Sequence, residues 1–511
     1  MQNNQSSSKN IKQGVVLSYL SMGISIFVSL LYTPFVIRKL GQNQYGLYQI
    51  GAAVIGYLSI LNFGLGSTVI RYASKYKAEN KEKQERSLYG LFITVFSFLA
   101  VIVMISGIVI ACFKQSIFKI STGQEGYRQL GIILIVMTVN LAVSFPASVY
   151  SSIITTYERF TFLKSVTILT SLLTPSAVIP VLLLGYKAVG LTIAAQTVHI
   201  LASFSYIVYV HLRLKVKISF DFSVLGKDTL KSIFGFTVFI FIGVLIDQLY
   251  WSTDKIILSM FISETAVAVY AVGAQLHSYY QQFSGSISEV LFPRITKMVT
   301  LKTPKSELTD LFIKIGRMQN YILTAVLFGF VVLGKEFIGF WAGKGYEDAY
   351  VIALLVLAPA TVPLIQSIGF LIIKAMNKHR FRAITYLIIA VLNAATSIPA
   401  AISFGGIGCA LCTCVCALIG HGFIMNWYYY KKIGLDIPKF WRKNIPIILL
   451  SAGVGTMAIV INSFLVSGNI LLFLIKAVLF VAAVFVLQYF INMNDFEKGI
   501  IKKLFSKFVR I

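Results

Sequence analysis

Residues 87–112 read SLYGLFITVFSFLAVIVMISGIVIAC, 26 consecutive positions without a charged side chain. As a helix rising about 1.5 Å per residue, the run extends about 39 Å. That is enough for a ~30 Å hydrocarbon core, which takes about 20 apolar residues to cross. The charged segment KEKQER (Lys81–Arg86) stops at its edge. Outward from this stretch the pattern repeats: apolar runs cover 14–37, 45–70, 129–153, 163–184, 188–210, 233–262 and 266–292. They continue through 318–342, 349–373, 383–404, 406–430, 445–467 and 469–491, making fourteen in all. Composition says the same: 57% of the 511 residues are hydrophobic and 13% charged, about half the charged share of a soluble protein. The expected fold is an all-α integral membrane protein of about 14 transmembrane helices.

The net charge of +26 would suit a nucleic-acid partner, but the basic residues lie in short loops between the apolar runs and do not interleave with stacking aromatics. Counted in alternate loops, 35 Lys/Arg fall on one side and 9 on the other, with Lys476 inside the last run. Lys and Arg mark cytoplasmic loops, so both termini are expected in the cytoplasm. Met1–Asn10 is polar and the first apolar run is too long for an h-region, so no cleavable signal peptide is expected.

A short internal repeat organises the runs. YQIGA (Tyr48–Ala52) recurs as YAVGA (Tyr270–Ala274), and Arg71 at the end of the second run matches Arg294 at the end of the eighth. A repeat offset by six helices keeps the same membrane orientation, the parallel arrangement of some secondary transporters. The expected domains are a six-helix bundle over 1–225, a second over 226–432, and two extra helices with a basic tail over 433–511.

Charges inside a bilayer are expensive and normally face a bundle interior or a water-filled path. The seventh run carries Asp247, Asp254 and Lys255; the eighth carries Gln275, Ser278, Gln282, Gly285 and Glu289 in one helical stripe, broadened by His277, Tyr279, Tyr280 and Gln281. Asp247, Asp254, Lys255 and Glu289 read as ion-coupling or cavity charges. Duller readings stand beside these. Arg71 and Arg294 can anchor helix ends at headgroups, Asp254 and Lys255 can be an interfacial pair, and the stripe can be interhelical hydrogen-bond glue. Cys409, Cys412, Cys414 and Cys416 sit in an apolar stretch without carboxylates and read as packing, so no metal site is assigned. No catalytic constellation and no phosphate loop occurs. The ligand is expected to be moved rather than converted, and no enzyme activity or cofactor is assigned.

Three stretches, PFVIRKLGQNQYGLYQIG (Pro34–Gly51), LNFGLGSTVIRYASKY (Leu61–Tyr76) and STDKIILSMFISETAVAVYAVG (Ser252–Gly273), resemble Wzx-type polysaccharide flippases of the multidrug/oligosaccharidyl-lipid/polysaccharide exporter superfamily. The family often has Asp where this chain has Asn62. The resemblance implies a multi-pass protein of the bacterial cytoplasmic membrane that flips an undecaprenyl-pyrophosphate-linked oligosaccharide by alternating access, for surface polysaccharide biosynthesis. It permits, without settling, coupling to H+, Na+ or the membrane potential, and it leaves polysaccharide polymerase and glycosyltransferases as candidate partners beside membrane lipid. Under it, Arg71, Arg294, Arg38 and Lys39 would receive the pyrophosphate, and Gln275, Ser278, Tyr279, Tyr280, Gln281 and Gln282 the glycan. The last two runs would border the lipid tail. Rival readings are a cation-coupled multidrug exporter, a lipid II flippase, and a non-transporting scaffold of a polysaccharide assembly complex.

Overall fold

The computed structural model describes residues 2–378, 380–465, 469–499 and 502. The side chains of residues 2–19 and of several positions between 227 and 293, Asp247 and Glu289 among them, lie outside that description. The described residues are helical throughout, with no strand among them. The helices are α1 (Gln2–Leu58), α2 (Leu65–Ala78), α3 (Glu82–Cys112), α4 (Gly123–Thr156), α5 (Phe160–Leu183), α6 (Ala188–Tyr209) and α7 (Lys227–Phe261). They continue as α8 (Glu264–Thr300), α9 (Lys305–Trp341), α10 (Asp348–Ile365), α11 (Ser367–Ala375), α12 (Arg380–Ala417), α13 (Ile437–Ser463) and α14 (Ile470–Ile491). Among the described residues ten helical stretches are long and apolar enough to cross a membrane, which makes the chain a multi-pass membrane protein.

Two of those stretches are double. In α1 the helix breaks at Gly41 (φ 69°, ψ 175°), and in α12 at Gly405 (φ 58°, ψ −139°). Both angles lie where a Cβ is strained, so one glycine turns the chain where the apolar runs 14–37 and 383–404 end. No loop is needed at either place.

The helices are amphipathic without being polar. On α3, Leu88, Phe92, Phe96, Leu99, Val103 and Ala111 are buried, while Phe98, Val101, Ile105 and Val109 are exposed. Both stripes keep helical spacing. One packs against protein, as where Phe96 meets Phe145 of α4 edge to face at 5.9 Å; the other is apolar because its solvent is lipid.

The chain divides into two compact units, Met1–Ala268 and Val269–Ile511. In the first, Gln44 ties α1 to α4 through Gln129 (2.7 Å) and accepts from the Ala188 backbone N–H at the start of α6 (3.2 Å). In the second, Asn320 of α9 donates to Asn444 of α13 (3.0 Å), and Gln488 of α14 donates to Ser451 of α13 (3.0 Å). Such bonds hold transmembrane helices together where the hydrophobic effect between them is absent.

Lys476 is the only charge in the last two apolar runs. It meets Glu336 of α9 at 3.1 Å, and Asn462 of α13 donates to the same carboxylate oxygen at 3.1 Å. A lone charge at membrane depth costs roughly 2.5–3.5 kcal/mol. Glu336→Gln is therefore expected to destabilise the purified protein by about 2–3 kcal/mol, measured by thermal unfolding in detergent. Adding Lys476→Met should recover most of the loss, since the double change removes the stranded charge.

Candidate functional site

The second apolar run is not one continuous helix. After α1 ends at Leu58 the chain passes through a single 3-10 turn, Ser59–Asn62, and then two left-handed residues, Phe63 (φ 50°) and Gly64 (φ 64°), before α2 begins. The break coincides with a close approach. A Cβ on Gly64 would stand 2.1 Å from Cγ2 of Ile240 on α7, so glycine serves both the turn and the neighbour. Asn62 Oδ1 is buried there without a hydrogen-bond partner among the described residues.

From this point α7 runs antiparallel to α1 and α2 in both directions. Toward the basic end of the span, Thr68 and Thr237 share a hydrogen bond (3.2 Å), then Tyr72 and Ser232 (2.7 Å). Toward the opposite end, a Cβ on Gly56 would meet Gln248, whose Nε2 bonds Ser252 at 2.5 Å. Beyond it Tyr57 and Thr253 share a bond (2.5 Å) and Lys255 donates to Gln49 (3.3 Å). At the far end the Gly46 Cβ position lies 1.9 Å from the Glu264 carbonyl oxygen. The Glu264 carboxylate accepts from the Ser121 and Thr122 backbone N–H groups and from the Ser121 hydroxyl at 2.6–3.2 Å. The result is a polar seam spanning the first unit, made of pairs that each contribute about 0.6 kcal/mol. Each bond is weak enough to exchange one at a time.

Arg71, beside the last pair, is exposed, with its guanidinium 5.9 Å from the Tyr72 ring centre. Arg38 and Lys39 are exposed near the Gly41 elbow. Asp254 is buried, at 2% exposure, whereas Lys255 turns to Gln49. Of the expected residues, the structure brings Lys255 into the seam and places Arg71 at its end. Tyr57, Thr68, Thr237, Gln248 and Thr253 were not singled out from sequence. A hydroxyl in an apolar run is a weak signal, and pairing between positions some 170 residues apart leaves no local trace.

In the second unit, Gln275 donates to Tyr279 (2.8 Å) and Gln282 to the Ser278 carbonyl (3.2 Å). Ser278 and Gln281 are exposed. Tyr280 corrects the expectation of a glycan contact. Two residues from Ser278 it points to the far side of the helix, 1% exposed, with its hydroxyl on the Leu323 carbonyl (3.1 Å) and Thr361 (2.7 Å). Tyr279 lines an apolar cavity of about 270 Å³ between α8, α9 and α14, with Phe330, Phe337, Phe473 and Phe480. Arg294 is exposed. Among the described residues no group of three His, Cys, Asp or Glu is placed to hold a metal.

Arg317 is one of the 35 basic residues that the loop count assigns to the basic side. It is also a buried clasp in the second unit. Its guanidinium binds Glu497 (2.7 and 2.9 Å), the Lys443 and Asn492 carbonyls (both 2.7 Å) and the Tyr321 hydroxyl (2.6 Å). These contacts tie α9 to the start of α13 and to the segment after α14.

Compared with known proteins, residues 11–299 match the profile of the family described as "Polysaccharide biosynthesis protein". A putative O-antigen transporter of Shigella flexneri is 22% identical over 434 residues, covering 83% of this chain and 98% of that protein. Among solved structures, the lipid II flippase MurJ in an inward closed conformation superposes with a TM-score of 0.71 at 16% identity, covering 93% of this chain and 98% of that one. An inward-facing multidrug resistance MATE family transporter of the MOP superfamily gives 0.60 at 14% identity, covering 80% and 97%. The fold is thus the one shared by these transporters, and the chain is a multi-pass protein of the bacterial plasma membrane.

Proposed function

Because the chain belongs to the polysaccharide biosynthesis protein family, we propose that it is a membrane flippase whose cargo is an undecaprenyl-pyrophosphate-linked oligosaccharide repeat unit. The observation that carries this reading is the polar seam. A sugar hydroxyl stripped of water in hydrocarbon costs several kcal/mol, and a pyrophosphate far more. Cargo of this kind needs a ladder of hydroxyl and amide partners across the bilayer with cations at its mouth. The pairs Thr68–Thr237, Tyr72–Ser232 and Tyr57–Thr253 form such a ladder, and Arg71 stands at its end. Guanidinium pairs with phosphate oxygens bidentately, so Arg71 and Arg294 are each assigned to the pyrophosphate, while Arg38 and Lys39 serve release.

Gln275, Ser278, Gln281 and Gln282 offer amide and hydroxyl groups to the glycan. The aromatic-lined cavity beside Tyr279 has the apolar lining a polyprenyl tail requires. Opening the seam costs only a few weak bonds, which suits alternating access driven by H+, Na+ or the membrane potential. Asp254, a buried carboxylate of α7, is assigned to that coupling. The expected coupling charges Asp247 and Glu289 have side chains outside the described residues.

Replacing both Arg71 and Arg294 by alanine tests the assignment. Surface polysaccharide is expected to fall about tenfold or more, with lipid-linked oligosaccharide accumulating at the cytoplasmic face and the protein inserting normally. Normal polysaccharide levels would remove the pyrophosphate role from these arginines.

A further inference from the structure

At the basic end of the second unit a cavity of about 430 Å³ opens between the starts of α9 and α13 and the segment after α14. Its size is that of a small-molecule site. Lys314, Arg317, Lys439 and Lys443 line it, with Asp310 the acidic neighbour. The cations differ in what they are already bound to. Arg317 is saturated by Glu497, Tyr321 and two carbonyls. Lys439 is held by Asp310 at 2.8 Å. Lys314 lies 3.3 Å from the Phe496 ring centre, a contact that leaves its charge uncancelled. Lys443 offers its carbonyl to Arg317, and among the described residues neither of these two ammonium groups has a carboxylate partner.

Two uncompensated lysines therefore face a walled cavity whose shape the Arg317 clasp keeps. Its depth identifies the source of the missing anion. In sequence the apolar stretches of α9, α13 and α14 adjoin its lining residues, Trp441 and Tyr489 flank them as residues of the bilayer interface do, and Leu449 and Phe490, on α13 and α14, are exposed apolar residues. Basic pockets between helices at this level take phosphate headgroups.

We propose that this cavity binds the phosphate of an anionic glycerophospholipid between Lys314 and Lys443, with the acyl chains along α13 and α14. The bound lipid would fix the last two helices to the leaflet that carries the basic loops.

Titrating the purified full-length protein with phosphatidylglycerol, and counting bound lipid by native mass spectrometry, tests the assignment. In the Lys314→Gln, Lys443→Gln variant, affinity is expected to fall about tenfold or more, while Lys314→Arg, Lys443→Arg retains it. The equal charge loss in Lys431→Gln, Lys432→Gln should leave it unchanged. Phosphatidylethanolamine should not compete. Unchanged binding in the glutamine variant, or an equal loss in the Lys431/Lys432 control, would overturn the site. Soluble glycerol 3-phosphate displacing the lipid at equal concentration would overturn the lipid as its source.

Discussion

Oxidising a Thr68→Cys, Thr237→Cys pair is expected to stop transport, by about tenfold or more, and reduction to restore it. The two hydroxyls share a buried hydrogen bond at 3.2 Å, which places the side chains close to the spacing a disulfide needs, with Cβ atoms about 3.5–4.5 Å apart. The native cysteines Cys112, Cys409, Cys412, Cys414 and Cys416 are first replaced by serine or alanine, so that the new pair is the one bridge possible. If cargo passes along the seam, α7 has to part from α2 in each cycle, and a covalent bridge near the basic end of the seam forbids it. Each single cysteine variant should keep near-normal transport, because one interhelical hydrogen bond is worth under about 1 kcal/mol here. Full transport by the oxidised double variant would show the seam to be static glue.

The largest expected effect on stability comes from Arg317→Ala. Its side chain and that of Glu497 are 10% and 4% exposed, and removing one partner of a buried pair typically costs 3–5 kcal/mol because the other charge is left stranded. Loss of about that size in thermal or denaturant unfolding is expected, with α13 and α14 loosened first. The pair also gives stability a pH dependence. Burial pushes the Glu497 carboxyl up, but hydrogen bonds from Arg317 and from the Asn494 backbone outweigh it and hold the group below its ordinary value of 4.5. A depressed folded-state value means that the contribution is complete above about pH 4.5 and lost as pH falls through the lower, folded-state value. The wild-type protein should therefore lose stability on acidification below pH 4.5 more steeply than Glu497→Gln, which has no proton to gain there.

Sequence reading reached the multi-pass membrane architecture because lipid leaves a plain trace: a helix bathed in hydrocarbon cannot spare a charge, so residues 87–112 and the apolar runs like it stand out unaided. The turns at Gly41 and Gly405 were legible as places where apolar runs end, though not as single-residue elbows. What stayed hidden is which polar groups meet. Arg317 and Glu497 are 180 residues apart and look like ordinary loop charges. Lys476 announced itself as an isolated charge, but its partner Glu336 sits 140 residues upstream. Tyr280 fell within a polar run by composition, and only the rotation of the helix turned it into the core. Arg71 stands out in the sequence because a terminal arginine is conspicuous; Thr68 and Tyr57, which the structure places in the seam, carry side chains common in any membrane helix.

The glycine elbow at Gly41 has a consequence for how a cell displays this protein. With α1 breaking at one residue, and α12 doing the same at Gly405, neither place has a polypeptide arch for an antibody, phage or protease to grasp. Surface-accessible handles have to come from the longer connections, such as residues 113–122 and 342–347. Labelling reagents and epitope insertions aimed at the face opposite the basic loops should succeed there and fail at the two elbows.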